Sequence, residues 1–224
     1  MSNAFDSRPC LFISGAAVGI GRATARLFVQ QGWFVGIGDI DQDGMAALEH
    51  ELGSQNCLCF PLDVSRHEDW TDALARFHAH TGRLDLLVHC AADFPGLTPM
   101  VHADPAALAR ALHVNLTARL WLTQAALPAL QAASGTVVFA LDQAQRGEQA
   151  YWGGYGLAQS AQHALMAMLR AELHNSRVQI HALCPPPMPT ALRARAYGHE
   201  VAQISRPLEV AAAWLDNQYR AAQA

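Results

Sequence analysis

The chain of 224 residues is about half apolar and carries a formal net charge of −4, enough length and apolar content for one substantial domain with a well-buried core. All fifteen basic residues are arginines, scattered without a basic stripe, which argues against nucleic acid or an anionic membrane surface as partner and for a small-molecule site. The segment Met1 to Asp6 lacks a basic stretch followed by an apolar one, and no later run approaches the length of a bilayer span, so a cytoplasmic setting is expected.

Short apolar runs alternate with longer amphipathic ones. Cys10 to Ile13 reads as a strand, Gly19 to Gln31 as a helix, Trp33 to Ile37 as a strand and Gly44 to Leu52 as a helix, with Asp41 placed to cap it. Cys57 to Phe60 is the third strand. Ser65 and Glu68 have the spacing of a capping box opening the next helix, and Leu84 to Cys90 is the fourth strand. The second half predicts a long helix from Pro105 to Leu130, a strand Thr136 to Leu141, a helix through Gln159 to Leu173, and a strand Val178 to Cys184. After Pro185, Pro186 and Pro187 one helix is expected, Leu208 to Tyr219, and no further strand. This order implies the α/β class: a doubly wound parallel sheet of about six strands with helices on both faces, in a single domain over residues 1–224.

Five cysteines are an odd number, and four of them sit in strand-like runs where reduced, packed thiols are expected. Cys57 and Cys59 flank one residue and point the same way from a strand, but no further ligands accompany them, and no metal site is expected. His89 and His181, at the ends of apolar strands, read as core residues without a catalytic role.

Ser14, Gly15, Val18, Gly19, Ile20 and Gly21 lie between the first strand and the first helix. A backbone without Cβ can approach a pyrophosphate there and offer it the helix N-terminus. Asp39 closes the second strand eighteen residues after Gly21, where a carboxylate accepts from both adenosine ribose hydroxyls and repels a 2′-phosphate, so NAD(H) is favoured over NADP(H). Asp63 could reach the adenine amino group or merely begin a turn, and with Ser65 expected to cap the next helix it is left free for the ligand.

The order Gly15, Gly19, Gly21, Asp39, Asp63, Val64, Asn115 and Tyr155 resembles the short-chain dehydrogenase/reductase family from near the N-terminus to about Thr190. The resemblance implies a Rossmann-type sheet, hydride transfer with a nicotinamide, and a tyrosine that exchanges a proton with substrate. Tyr155 matches that acid/base tyrosine, and Asn115 the asparagine that supports a water relay. The serine position is held by Asp142 and the lysine position by Gln159. Cys90, Ala91 and Ala92 stand where the family usually has the end of an Asn-Asn-Ala-Gly segment, and Pro186 replaces the glycine of a Pro-Gly turn. Thr190 matches a threonine on the nicotinamide side, and Ile40, Val64, Pro185 and Met188 complete the expected cofactor contacts, together with Tyr155 and Gln159. The family's substrate loop falls near 186–206, where Arg193 and Arg195 read as a solvated face that only weakly suggests an acidic substrate. A shortened C-terminus without the family's last strand leaves a homodimer through the helices of Asn115 and Tyr155 as the expected assembly, and makes strand-mediated tetramers doubtful.

These replacements alter the expected chemistry. A tyrosine with its ordinary pKa of about 10 is phenolate only about once in a thousand at neutral pH. Gln159 brings no charge to favour that form, and an ionised Asp142 at ~4 Å opposes it by up to about 4 kcal/mol at an effective dielectric of ~20. Alcohol oxidation should be impaired. Carbonyl reduction survives, since neutral Tyr155 can donate and a protonated Asp142 could donate beside it. Arg146 or Tyr151 could compensate, although a loop arginine is ordinarily solvated and Tyr151 would ordinarily pack. The expectation is an NAD(H)-dependent oxidoreductase on a small carbonyl or alcohol, biased to reduction. The alternative is an NAD(H)-binding protein without turnover, a sensor or the silent subunit of a hetero-oligomer with a catalytic homologue.

Overall fold

Apolar runs too short for helices and bounded by turn residues become six strands: β1 (Cys10–Ser14), β2 (Phe34–Asp39), β3 (Cys57–Pro61), β4 (Leu86–His89), β5 (Thr136–Ala140) and β6 (Gln179–Leu183). In the computed structural model, which describes residues 8–142, 144–198 and 209–223, they form one parallel sheet in the order β3-β2-β1-β4-β5-β6. The helices are α1 (Gly19–Gln30), α2 (Gln42–Leu52), α3 (His67–Thr81), α4 (Pro105–Leu112), α5 (Ala118–Ala133), α6 (Gly153–Glu172), α7 (Ala191–Tyr197) and α8 (Glu209–Gln223).

Alternation along the strands divides their side chains between two helical layers. Phe12, Phe34, Phe60, Leu87, Val137 and Phe139 face Phe77 of α3, Leu122, Ala126 and Leu130 of α5 and Met166 of α6. Leu11, Ile13, Val35, Ile37 and Val88 face the opposite way, onto Phe28 of α1, Met45 and Leu48 of α2 and Leu215 of α8. Cys57 and Cys59 both belong to this second layer, as their spacing implies. Every residue of β1 is buried, which is why the strand reads as an unbroken apolar run. The Phe12 ring meets Phe60 and Phe77 at 5.5 and 5.4 Å, and truncating such a side chain to alanine costs about 3–5 kcal/mol.

Local expectations are met and missed for identifiable reasons. Asp41 caps α2, its carboxylate accepting from the Gly44 amide at 2.9 Å. The expected capping box does not form. Arg66 precedes α3 without a side-chain cap, and Ser65 turns back so that its amide and hydroxyl donate to Oδ1 of Asp63 at 2.9 and 2.7 Å. The expected helix Pro105 to Leu130 is divided into α4 and α5 by a π-helical turn, His113–Thr117, which carries Asn115. Helix α6 begins at Gly153, earlier than its apolar periodicity suggested, so Tyr155 lies in its first turn. Among the described residues no strand follows β6, and α8 instead packs on α1 and β6, with Tyr219 against Trp33 at 5.1 Å. Leu208, the expected start of that helix, and residues 199–206 of the expected substrate loop lie outside the described residues.

Candidate active site

The chain leaves β1 toward β2 on one side and reaches β4 on the other, so a crevice opens at the carboxyl ends of these strands. A cleft of about 650 Å³ occupies it, a size suited to a small-molecule ligand.

The glycine loop and Asp39 form one wall. Gly15 has φ of +77° and donates its amide to the Gly38 carbonyl at 2.7 Å, while a Cβ on it would run into the backbone of Ala91. A Cβ on Gly21 would strike the Gly15 carbonyl. Over Gly19 the space is open, with only the Thr190 methyl within reach of a Cβ, at 3.9 Å. No side chain caps α1 and no acidic residue lies in its first turn, so its leading N–H groups are available to an anion. Asp39 accepts from the Ala17 amide at 2.9 Å and the Asp41 amide at 3.0 Å, one on each oxygen, leaving acceptor capacity for hydroxyl donors. This donor set fits a dinucleotide: the α1 N–H groups would hold its pyrophosphate and Asp39 a ribose. Asp63 also lines the cleft. Burial works against its charge, but the bonds from Ser65 and the nearby Arg110 hold its carboxyl below the usual range.

The opposite wall carries Tyr155, Asp142 and Gln159. Tyr155 is 5% exposed, with Phe94 and Trp152 packed against it at ring separations of 5.4 and 5.8 Å. Burial and then Asp142 push its phenol well above the ordinary value, against the opposing influence of Arg119 and Arg146. Asp142, just past β5, is held by Arg146 through two bonds of 2.9 and 3.0 Å. Both carboxylate oxygens accept, so the expectation that Asp142 donates a hydrogen bond to substrate is corrected. Arg146 is buried rather than solvated, stacks 4.1 Å over Trp152 and donates to the Tyr197 hydroxyl at 2.9 Å. Tyr151 does not pack as expected: it is 55% exposed in a left-handed conformation with φ of 76° and is not among the residues lining the cleft of Tyr155. Gln159 spends its carbonyl oxygen on the Asp142 amide at 3.0 Å, so it anchors the strand end where a charged side chain was absent.

Asn115 is fully buried and does not line the cleft. Its amide nitrogen donates to the carbonyls of Asp93 and Ala111 at 2.7 and 2.8 Å, and its oxygen accepts from the Asp93 amide at 3.1 Å. It therefore pins the loop after β4. Ser14 is also beneath the surface, its carbonyl accepting from the Cys90 and Ala91 amides. The remaining expected cofactor residues, Val18, Ile20, Ile40, Val64, Cys90, Ala91, Ala92, Pro185, Met188 and Thr190 among them, line one cleft with Asp142, Tyr155 and Gln159. Thr190 also caps α7, accepting from the Arg193 amide at 3.1 Å. Arg193 is not a solvated side chain: its guanidinium stacks 4.2 Å from the Tyr197 ring, while the exposed Arg195 reaches the Phe94 carbonyl at 3.1 Å. His89 is fully buried, bonded to Thr123 at 2.9 Å, and burial followed by the charge of Arg119 drives its pKa well below the usual value.

Sequence reasoning missed Arg119, Phe94, Trp152 and Tyr197. Arg119 was detectable, because Asn115, Arg119, Leu122 and Ala126 follow one helical face and the arginine stands among apolar neighbours. The aromatic residues gave no such pattern, since they converge from three separate segments.

Comparison with known proteins agrees with this architecture. The chain is 28% identical over 216 residues to an L-fucose dehydrogenase of Oryctolagus cuniculus, covering 90% of this chain and 75% of the relative. It is 32% identical over 164 residues to a cis-2,3-dihydrobiphenyl-2,3-diol dehydrogenase of Paraburkholderia xenovorans, covering 71% of this chain and 58% of the relative. A solved short chain dehydrogenase from Salmonella enterica superposes with a TM-score of 0.87 at 25% identity, over 98% of this chain and 95% of its own. The profile of the short chain dehydrogenase family matches residues 9–200, the stretch that runs from β1 through α7, and the protein is therefore a member of that family of oxidoreductases.

Proposed function

We propose that this protein is an NAD(H)-dependent reductase of a small carbonyl compound, with little capacity for the reverse oxidation of the alcohol. The observation that carries this reading is Tyr155, a buried phenol on the cleft wall whose pKa is pushed above the ordinary value. A group so shifted is protonated at neutral pH and serves as an acid, not a base. A reduced nicotinamide dinucleotide, held by the α1 N–H groups and Asp39, would supply the hydride. Tyr155 gives its proton to the carbonyl oxygen as the alcohol forms, and regains one from water. Phe94 and Trp152 keep the phenol in an apolar setting that holds it in the donor form. Oxidation asks for the phenolate at the start, which burial and Asp142 both oppose.

Preference for NAD(H) over NADP(H) is supported by Asp39, whose carboxylate repels a 2′-phosphate. The nearby arginines Arg22 and Arg26 are engaged by Glu51 at 3.0 and 2.5 Å. A homodimer through α5 and α6 is supported by Trp121, Leu157 and Met168, which remain 38%, 43% and 61% exposed on those helices.

The test is to titrate NADH and NADPH by fluorescence and then follow NADH consumption with a panel of ketones, aldehydes and quinones. Tighter NADH binding and measurable reduction support the proposal. Binding without turnover across the panel would overturn it in favour of a nucleotide sensor or a silent subunit.

A further inference from the structure

The cleft contains a buried cation that no carboxylate among the described residues neutralises. Arg119, one turn beyond Asn115 on α5, is 3% exposed and lines the same cleft as Tyr155 and Gln159. Its guanidinium donates to the carbonyls of Ala91 and Ala140 at 2.8 and 2.9 Å and to Oε1 of Gln162 at 2.6 Å, while its Nε has no partner. These acceptors are dipoles, so they orient the guanidinium and leave its unit charge in place. Their positions locate that charge. Ala140 ends β5, Ala91 follows β4, and Gln162 lies two turns after Tyr155 on the same helix.

Keeping an arginine charge in a low-dielectric interior without a counter-ion is unfavourable. Burial lowers the Arg119 pKa to about 10, opposed by Tyr155 and Cys90, which favour its charged form. An apolar side chain could fill this face of α5 at less cost, and what it would lack is a field at the neighbouring groups. The ionisable groups that bear on Tyr155 are Asp142 after β5, Arg146 in the turn Ala144–Glu148, Tyr197 of α7 and Arg119 of α5. Asp142 opposes the phenolate and is tied to Arg146 by a bidentate pair, and the Tyr197 hydroxyl accepts from Arg146. Of the two cations that favour the phenolate, Arg119 has the larger influence, and no carboxylate among the described residues holds it.

We infer that Arg119 is a positioning residue that acts through Tyr155: its buried charge, delivered from α5, favours the phenolate that remains once the proton has passed to substrate. Gln159, bonded to the Asp142 amide, carries no charge for that task. The O–H bond of Tyr155 breaks, a new O–H bond forms on the substrate oxygen, the carbonyl carbon is reduced by the hydride that a bound nicotinamide would supply, and the negative charge rests on the phenol oxygen in the cleft that Arg119 also lines. This inference rests on the proposed acid role of Tyr155, and its test separates the two.

The tyrosines are replaced by tetrafluorotyrosine, whose phenol ionises several pH units below that of tyrosine and so titrates while Arg119 is still charged, the Tyr155 resonance is assigned in the fluorine NMR spectrum with Tyr155→Phe, and the midpoint of its titration is followed without cofactor or substrate. Arg119→Gln should raise that midpoint by about one pH unit and lower kcat about tenfold with KM little changed, whereas Arg119→Lys should keep both near the parent values. A folded Arg119→Gln with an unmoved midpoint overturns the inference whatever its activity. If the midpoint moves while Tyr155→Phe retains full turnover, the acid role of Tyr155 fails and the field of Arg119 stands. Should Arg119→Gln not fold, Arg119→Gln combined with Gln159→Lys returns a cation from α6 to the same cleft. A midpoint near the parent value in that protein supports the inference, and one that stays high overturns it.

Discussion

The two walls of the cleft differ in how they treat their polar groups. On the nucleotide wall, the N–H groups that open α1 have no capping side chain and Asp39 retains acceptor capacity, so the donors and acceptors are directed at a ligand. On the chemical wall, Asp142, Arg146, Gln159 and Tyr197 satisfy one another, and Tyr155 is enclosed by aromatic rings. The first wall comes from one β-α-β unit, the second from α5, the end of β5, α6 and α7. The proposed binding and proton-transfer roles therefore fall on separate walls, and a change that removes one should leave much of the other.

The sharpest way to break that comparison is Tyr155→Phe, which should lower NADH-dependent reduction about a thousandfold while NADH affinity, read by fluorescence titration, changes far less. Equal losses in both would merge the walls into one. Asp39→Ser should have the converse profile. Losing an ionised acceptor for ribose hydroxyls should weaken NADH about tenfold or more and narrow its advantage over NADPH, with turnover at saturating NADH nearly unchanged.

Arg146→Met should strand the Asp142 charge beside Tyr155. Because Asp142 keeps 22% of its side-chain surface, the expected loss is about 2 kcal/mol, below the range for fully buried pairs, and urea midpoints will report it. Adding Asp142→Asn to that variant should recover part of the loss, and no recovery would show that the pair adds nothing beyond packing. The smallest effect concerns His89. It stays neutral in the fold, since burial and then Arg119 depress its pKa, whereas in the unfolded chain it takes up a proton near 6.5. The unfolded state thus binds more protons below about pH 6.5. Stability present above that value falls by at most about 1.4 kcal/mol per pH unit as pH drops further. His89→Asn should flatten this slope in urea melts at pH 7 and pH 5, and an unchanged slope would assign acid sensitivity elsewhere.

Much of the nucleotide wall was legible in the chain because its requirements are local. Gly15 must adopt φ of +77° and Gly21 must pass against the Gly15 carbonyl, so both positions exclude a side chain, and the spacing to Asp39 follows from one helix and one strand. The capping box at Ser65 failed for an equally local reason: Asp63, two residues away, competes for the Ser65 amide and hydroxyl. The chemical wall was read only as a set of names. Asn115 and Asp142 were identified at their positions, but the first proved to pin the Asp93 backbone and the second to be held by Arg146. Arg146 was expected in solvent and is buried.

What the amino-acid order determined by itself was the doubly wound sheet, through alternating apolar periods of strand and helix, and the nucleotide loop, through glycines that no other residue can replace. The tertiary structure alone decided the charge state of the chemistry. Whether Asp142 opposes Tyr155 depends on Arg146, and whether a cation faces the phenol depends on Arg119 lying between the ends of β4 and β5. Electrostatic effects depend on distance and burial between groups far apart in sequence, and those quantities exist only once the chain is folded.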